Sequence, residues 1–294
     1  EQMKASKETP RQQLIGALLS PFAASGVQLR LTSLYSNEAA RGSVLRSFLH
    51  IQASDLTFTK DPDGTHKAVF DLMSVTFGED EKLVDQVADQ HTITLTDALY
   101  QKIVRYGFTF NTTVPIKKAG AYQLRTALRD TASGRMGSAT QFIEVPDIEK
   151  DRLMTSGVLI KGMPLDRYLS HGGDETGEDF DPMANTSVRQ FRTGTAMVYA
   201  LAIYNAKLDK TSGKPNLTIQ ARLYRNGELV FTGREVPFEL REQTDPKRLG
   251  GGGAIQLGTE MKPGEYVLQI VVSDLLAKEK HRVTTQWMDF EIVQ

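Results

Sequence analysis

The sequence predicts an all-β fold, with two tandem immunoglobulin-like β-sandwich domains behind a short N-terminal helix. The first observation is a period of two in the apolar residues of many short segments separated by turn residues, which is typical of sandwich strands. The second is an internal repeat, because residues 118–130 match residues 262–274 at a constant offset of 144. A chain of 294 residues then divides into two domains of ordinary size, 27–147 and 148–294.

The N-terminal segment, residues 1–26, is predicted to contain a helix. Thr9 is a suitable N-cap, and Pro10 suits the first helical position, where its missing N–H has no cost. Apolar residues then recur at helical spacing; they are Leu14, Ile15, Leu18, Leu19 and Phe22. Such a stripe either packs on its own domain or docks into a partner, and we favour the first interpretation.

The first domain, 27–147, is predicted to be built from strands. A turn is indicated at 61–64 by the sequence Asp-Pro-Asp-Gly, and a short helix by Thr96 with the apolar pattern that follows it up to Gly107. The expected strands are 27–32, 44–53, 66–77, 83–95, 108–114, 122–129 and 139–145. A polar break at 146–150 marks the boundary with the second domain.

The repeated segment contains a Gly-x-Tyr sequence in each domain. In immunoglobulin-like sandwiches, a tyrosine near the start of strand F sends its hydroxyl back to the backbone a few residues upstream. Tyr122 and Tyr266 both fit this role of structural tyrosine corner, since each follows a glycine by two positions and precedes alternating apolar residues. A ligand-stacking role is weaker, because the residue recurs at the matching place in both domains.

Composition excludes several classes of function. The net charge is -1, which does not favour nucleic-acid binding, because phosphate recognition rests on a basic field. The chain has no cysteine, which removes disulfides, thiol catalysis and thiolate metal sites. No apolar run is long enough to predict a transmembrane segment.

No catalytic or cofactor-binding residue is predicted, and we expect a protein that is not an enzyme. The five histidines lack metal-ligand spacing and are expected on the surface or in turns. The glycine run 250–253 lacks the pattern of a phosphate-binding loop and is interpreted as a flexible linker between strands. Trp287, the single tryptophan, lies in a predicted strand, where a core position is expected.

An acidic segment at 171–182 is the sharpest local feature of the sequence. Calcium favours clustered oxygen ligands, and extracellular modules bind it weakly, although the spacing here is not that of an EF-hand loop. A solvated acidic loop without cofactor is the favoured interpretation, with calcium as the alternative. The candidate calcium ligands are Asp174, Glu175, Glu178, Asp179 and Asp181.

An ordered set of motifs resembles the C-terminal immunoglobulin-like region of bacterial secreted proteins related to von Willebrand factor A (VWFA-related proteins). The motifs include Asp71-Leu72-Met73-Ser74-Val75, Gly120-Ala121-Tyr122-Gln123-Leu124, Ser133-Gly134-Arg135-Met136-Gly137-Ser138, Ile203-Tyr204-Asn205-Ala206, Gly227-Glu228-Leu229-Val230-Phe231 and Pro263-Gly264-Glu265-Tyr266. The A domain's own Asp-x-Ser-x-Ser metal motif does not occur in this sequence, so none of its ligands carries over. The resemblance implies a secreted, periplasmic or cell-surface location and an A domain upstream in the parent protein.

These observations together favour a non-catalytic, extracytoplasmic structural or protein-interaction module, which contacts a protein partner or another copy of itself. One alternative is a subunit of a cell-surface or extracellular filament. A rival from another class is a carbohydrate-binding or hydrolytic β-sandwich, which would present exposed aromatic side chains beside polar groups.

Overall fold

The computed structural model describes residues 8–170, 181–240 and 243–293, and it confirms an all-β fold of immunoglobulin-like sandwiches with a short N-terminal helix. The helices are α1 (Pro10–Leu19), α2 (Asp97–Tyr106) and α3 (Leu165–Leu169). Single turns of 3-10 helix lie at Ala53–Asp55, Ile148–Lys150 and Glu279–His281.

The strands follow in chain order, and most are short, as the sequence pattern predicts. They are β1 (Leu29–Glu38), β2 (Gly42–Ile51), β3 (Thr59–Lys60), β4 (His66–Phe77), β5 (Leu83–Leu95), β6 (Phe108–Pro115), β7 (Gly120–Asp130), β8 (Met136–Val145), β9 (Met154–Thr155), β10 (Leu159–Pro164), β11 (Gln190–Arg192), β12 (Thr195–Tyr204), β13 (Leu217–Arg225), β14 (Glu228–Thr232), β15 (Val236–Pro237), β16 (Arg248–Gln256), β17 (Gly264–Asp274) and β18 (Val283–Val293).

The chain forms two compact units. The first contains the chain up to Ser33 together with Leu45–Ile116 and Gly120–Val145. The second contains Leu34–Val44, Lys117–Ala119 and the chain from Pro146 onward. The sequence places the whole of 27–147 in the first domain, whereas the structure groups the tip of the β1–β2 hairpin with the second unit.

That hairpin tip is held by tyrosine and arginine side chains of the second unit. The backbone N–H of Asn37 donates a hydrogen bond to the Tyr204 hydroxyl at 2.8 Å, and Arg248 Nε donates to Asn37 Oδ1 at 2.9 Å. The ring of Tyr35 packs edge-on against the ring of Tyr204, with centroids 6.2 Å apart. Tyr204 is fully buried, so its hydroxyl needs a partner inside the protein, and the hairpin tip supplies one.

In the first unit, the larger sheet has the order β5–β4–β7–β8, with β3 paired to the start of β4, and the smaller sheet has the order β1–β2–β6. Side chains of the two sheets meet because alternate residues of each strand point inward. Leu72 lies opposite Leu128 in the β4–β7 register, and both pack with Leu49 and Ile51 of β2 and with Phe70 in one buried cluster.

Helix α1 covers the outer face of the larger sheet in the first unit. Its N-terminus is closed by a capping box between Thr9 and Gln12, with Pro10 in the first turn. The buried side chains Leu14 and Leu18 pack against β4 and β7. The helix therefore packs on its own unit, which is the interpretation that the sequence favours.

In the second unit, the larger sheet has the order β14–β13–β17–β18–β11, with β15 also paired to β13, and the smaller sheet has the order β10–β12–β16, with β9 paired to β12. The short strand β11 is parallel to β18, and the other strand pairs described in this unit are antiparallel. The core between the sheets includes Phe191, Met197, Ile203, Leu217 and Leu268, each almost completely buried.

The glycine run 250–253 forms the middle of β16, so the prediction of a flexible linker is wrong. The run pairs residue by residue with β12, from Ala202 opposite Gly250 to Tyr199 opposite Gly253. A Cβ atom at Gly253 would lie 2.5 Å from the Tyr199 hydroxyl oxygen, and one at Gly252 would lie 2.5 Å from the Tyr199 carbonyl oxygen. Gly252 and Gly253 are therefore required by the close approach of this neighbouring strand.

Candidate functional site

The two tyrosines of the repeat are buried at matching positions of β7 and β17. The hydroxyl of Tyr266 donates a hydrogen bond to the Lys262 carbonyl oxygen at 2.9 Å, four residues upstream. Tyr122 is also buried, and desolvation, together with the nearby Glu79 carboxylate, raises the pKa of its hydroxyl. Both rings are therefore enclosed by the protein.

A buried aspartate ends each of these strands, and sequence reasoning assigned it no role. Asp130 Oδ2 accepts hydrogen bonds from the Ser133 backbone N–H at 2.9 Å and from its hydroxyl, and Asp130 Oδ1 accepts from the Thr57 N–H at 3.3 Å. Burial alone would raise the pKa of Asp130, but these hydrogen bonds outweigh it and lower the pKa below its ordinary value.

Asp274 occupies the same place at the end of β17. Its carboxylate accepts hydrogen bonds from the backbone N–H groups of Lys207 at 2.8 Å and Leu276 at 3.0 Å. Both aspartates are fully buried. The signal that could have revealed them is the repeat itself, since the match of the two segments runs on to an aspartate in each. Each carboxylate joins a strand end to a distant backbone segment, which is an architectural role.

Of the candidate calcium ligands, Asp174, Glu175, Glu178 and Asp179 lie outside the described residues. Asp181 is described, and its carboxylate is engaged by the protein: Oδ1 accepts from the Met183 N–H at 2.9 Å, and Oδ2 lies 3.2 Å from Arg192 Nε. Within residues 8–170, 181–240 and 243–293, no three histidine, aspartate or glutamate side chains are grouped closely enough to hold a metal ion.

His66 is buried, which corrects the expectation that every histidine lies on the surface or in a turn. Its Nε2 lies 2.9 Å from Asp97 Oδ1, and its ring stacks on the ring of Tyr100, with centroids 3.8 Å apart. The hydrogen bond from His66 and the charge of Lys60 lower the pKa of the Asp97 carboxyl. Since Asp97 and Tyr100 lie on α2 and His66 begins β4, these contacts fix the helix to the larger sheet.

Strand β5 forms a long open edge of the first unit. It has 13 residues, and every one of them is at least partly exposed. Among the described strands it pairs only with β4, from Leu95 opposite His66 to Leu83 opposite Phe77, with one irregularity near the Leu83 end. The strand contains no lysine and no proline, the residues with which natural edge strands discourage pairing.

Strand β14 forms a very different edge in the second unit. It has five residues, all exposed, and its pairing with β13 is interrupted by a bulge between Leu223 and Tyr224. A short, bulged strand is a poor template for a further strand. Of these two edges, β5 is therefore the one suited to pairing with another chain.

Trp287 lies on the outer face of the larger sheet of the second unit, so the expectation of a core position is wrong. Its side chain is 51% exposed, and its ring lies 5.5 Å from the ring of Tyr224. Met288 and Phe290, its neighbours along β18, point into the core. Alternate residues of β18 face the core and the solvent, and Trp287 lies at a solvent-facing position. Its place in the alternation, and not its size, therefore determines its exposure.

Comparisons with known proteins add little to this description. No family model matches the chain, and no curated protein matches it. None of the described helices has the length and apolar character needed to span a bilayer.

Several solved structures match the chain at very low identity and low TM-score. A trypsin-activated alpha-2-macroglobulin from Escherichia coli matches with a TM-score of 0.24 at 11% identity, over 93% of this chain and 17% of that one. The C-terminal domain of the AgI/II polypeptide BspA from Streptococcus agalactiae matches with a TM-score of 0.23 at 10% identity, over 91% of this chain and 100% of that one. The C-terminal domain of the antigen I/II-family protein AspA from Streptococcus pyogenes has a TM-score of 0.23 at 8% identity, over 91% and 99%. The chain spans 17% of the trypsin-activated alpha-2-macroglobulin and 22% of a second Escherichia coli alpha-2-macroglobulin structure, which was activated by porcine elastase.

Proposed function

We propose that this chain is a non-catalytic, extracytoplasmic protein-interaction module that assembles by adding a strand to the β5 edge. The occupant is a second copy of the chain, which makes the protein a subunit of a surface assembly. The observation that carries the proposal is the length of the open β5 edge, which runs over 13 residues and contains neither lysine nor proline. Its location outside the cytoplasm, and an A domain upstream, are supported by the resemblance to VWFA-related proteins.

The sequence of β5 is suited to pairing with itself. Two copies related by a twofold axis would pair antiparallel, and a register centred on Ala88 would place Asp85 opposite His91 of the second copy. The same register places Leu83 opposite Ile93, and Asp89 opposite Val87, so no two carboxylates face each other. Apolar pairs across strands stabilise a sheet, whereas like charges directly opposite each other destabilise it. A twofold interface of this kind is the commonest way in which identical chains assemble.

The test is the concentration dependence of association, measured by sedimentation velocity together with amide hydrogen exchange. We expect the chain to dimerise as its concentration rises and the β5 amides to exchange more slowly in the dimer. Ala88→Lys should abolish both effects, because two lysines would face each other at the centre of the pairing. Val230→Lys on β14 is the matched control and should leave the dimer intact.

Two results would overturn the proposal. One is a chain that stays monomeric at every concentration, with free exchange of the β5 N–H groups that point away from β4. The other is a dimer that Ala88→Lys does not weaken. Because Ala88 is exposed, this substitution leaves the core untouched, and a circular dichroism spectrum equal to that of the parent chain verifies folding.

A further inference from the structure

The outer face of the larger sheet in the second unit carries two rows of side chains that run across the strands. In one row, Trp287 of β18 lies opposite Gln269 of β17, which lies opposite Arg222 of β13. In the next row, Asp289 lies opposite Val267, which lies opposite Tyr224. We call these six residues the Trp287 face. Adjacent strands are about 4.8 Å apart, so each row spans roughly 10 Å.

The polar groups of the Trp287 face are held in place by bonds to one another and to their neighbours. The Tyr224 hydroxyl donates to Gln269 Oε1 at 3.2 Å, which fixes the amide of Gln269 beside the two aromatic rings. Arg222 Nε donates to Gln220 Oε1 at 2.9 Å, a bond that uses one of the five N–H donors of the guanidinium. Polar groups that are already oriented lose little entropy when they bind a ligand.

The Trp287 face carries two charged groups, the carboxylate of Asp289 and the guanidinium of Arg222. Asp289 forms an ion pair with Arg189, with 3.1 Å between Oδ2 and Nη2, and its side chain is otherwise exposed. Arg222 is the other charged group of the rows. A face with one carboxylate and one guanidinium, and with aromatic rings beside amide and hydroxyl groups, complements a ligand that is uncharged, has an apolar surface and carries many hydroxyls.

The corresponding face of the first unit shows what a helix-binding sheet face looks like in this chain. There Leu14 and Leu18 of α1 pack against Met73 and Val75 of β4 and Ala127 of β7. The strand registers relate the two faces. Met73 lies opposite Ala127, and Gln220 lies opposite Val271, which is the repeat partner of Ala127. Gln220 and Arg222 are therefore the counterparts of Met73 and Val75.

The second unit therefore has the amide of Gln220 and the guanidinium of Arg222 at the positions where the first unit has apolar side chains that contact α1. Among the described residues, no helix packs on the Trp287 face, and its chemistry does not suit an apolar helix. We propose that the Trp287 face binds a neutral oligosaccharide, with the ring of Trp287 stacking on the apolar face of a sugar ring. Tyr224, Arg222 and Asp289 then exchange hydrogen bonds with the hydroxyls of the sugar, while Gln269, which is only 7% exposed, holds the Tyr224 hydroxyl in place.

This proposal goes beyond assembly through β5 and is independent of it, since β5 lies in the first unit. We propose binding alone, because the six residues of the Trp287 face include one carboxylate, whereas hydrolysis of a glycosidic bond normally uses two that flank the bond.

The single tryptophan makes the test direct, because intrinsic tryptophan fluorescence reports only from this face. The probes are cellohexaose, laminarihexaose, xylohexaose and chitohexaose, with affinity electrophoresis in gels that contain the corresponding polysaccharides. We expect at least one probe to change the fluorescence of Trp287 in a saturable titration. Isothermal calorimetry with that probe should show that Trp287→Ala and Tyr224→Ala each weaken binding by about tenfold or more.

The matched control is Phe142→Ala. Phe142 of β8 in the first unit is an aromatic side chain that is 78% exposed, and its replacement should leave binding unchanged. Circular dichroism of each variant verifies folding. The proposal is overturned if no probe changes the fluorescence and no polysaccharide retards the chain. It is also overturned if binding survives both substitutions, or if Trp287 fluorescence changes with protein concentration alone, which would assign the face to a second copy.

Discussion

Replacement of Asp130 by asparagine is expected to destabilise the first unit by about 2–4 kcal/mol at neutral pH. The carboxylate of Asp130 accepts three hydrogen bonds, from the N–H and hydroxyl of Ser133 and from the N–H of Thr57. Hydrogen bonds to a charged group contribute about 1.5–3 kcal/mol each. Asparagine keeps one acceptor oxygen and turns an NH2 group toward donors, so one or two of these bonds are lost.

The effect should depend on pH with a defined sign. The pKa of Asp130 is lowered in the folded protein, so its stabilising contribution is fully present above the unfolded pKa of about 3.9 and is lost as the pH falls through the folded pKa. The difference in stability between the parent chain and Asp130→Asn should therefore be constant from about pH 5 upward and shrink below about pH 4.

The assay uses two signals during urea denaturation. Tryptophan fluorescence reports on the second unit alone, because Trp287 lies there, whereas far-ultraviolet circular dichroism reports on both units. Asp130→Asn should move the dichroism transition to lower urea and leave the fluorescence transition in place. Asp274→Asn is the matched variant in the second unit and should move the fluorescence transition.

The outcome that refutes this reasoning is a dichroism midpoint for Asp130→Asn equal to that of the parent chain at neutral pH. A stability difference that persists unchanged below about pH 4 would refute the electrostatic part of the argument, because a protonated carboxyl has lost its advantage over an amide.

The other two predictions concern the tyrosine corners and calcium. Tyr266→Phe removes the hydrogen bond to the Lys262 carbonyl and should cost the second unit about 1–3 kcal/mol in urea denaturation, and Tyr266→Ala about 3–5 kcal/mol, whereas a ligand-binding tyrosine would leave both midpoints unchanged. Calcium should leave the melting temperature unchanged, because Asp181 is already engaged by Arg192 and the N–H of Met183, and a calcium-dependent rise in scanning calorimetry would contradict the solvated-loop interpretation.

Sequence patterns predicted most strands of the first unit because one face of each is buried and the other exposed. β4 was expected at 66–77 and β5 at 83–95, and both strands have these bounds. The helix 97–106 was recognised from Thr96 and Gly107, which lie at its two ends. Apolar periodicity and capping residues are local signals, because each depends on residues only a few positions apart. They can therefore be read from the sequence without knowledge of the tertiary contacts.

Other features depend on contacts that a single sequence does not contain. The exposure of Trp287 follows from the parity of β18, while its size and apolar character argued for the core. The glycine run 250–253 was interpreted as a linker because glycine weakens a strand in isolation, and only the approach of Tyr199 explains its place in β16. The edge position of β5 follows from sheet order, which alternation alone does not determine.

The glycine strand also bears on how the second unit folds. Side chains normally fix the register of a strand, because a slip by one residue would turn apolar groups outward, and four consecutive glycines carry no such information. β16 takes its register from Leu249 and Ile255, the buried residues on either side of the glycines, and from the close approach of Tyr199 on β12. Because the glycines bring almost no side-chain contacts to a folding nucleus, we expect their pairing with β12 to form after the transition state. Stability lost at Gly252 would then appear as faster unfolding, with the folding rate little changed.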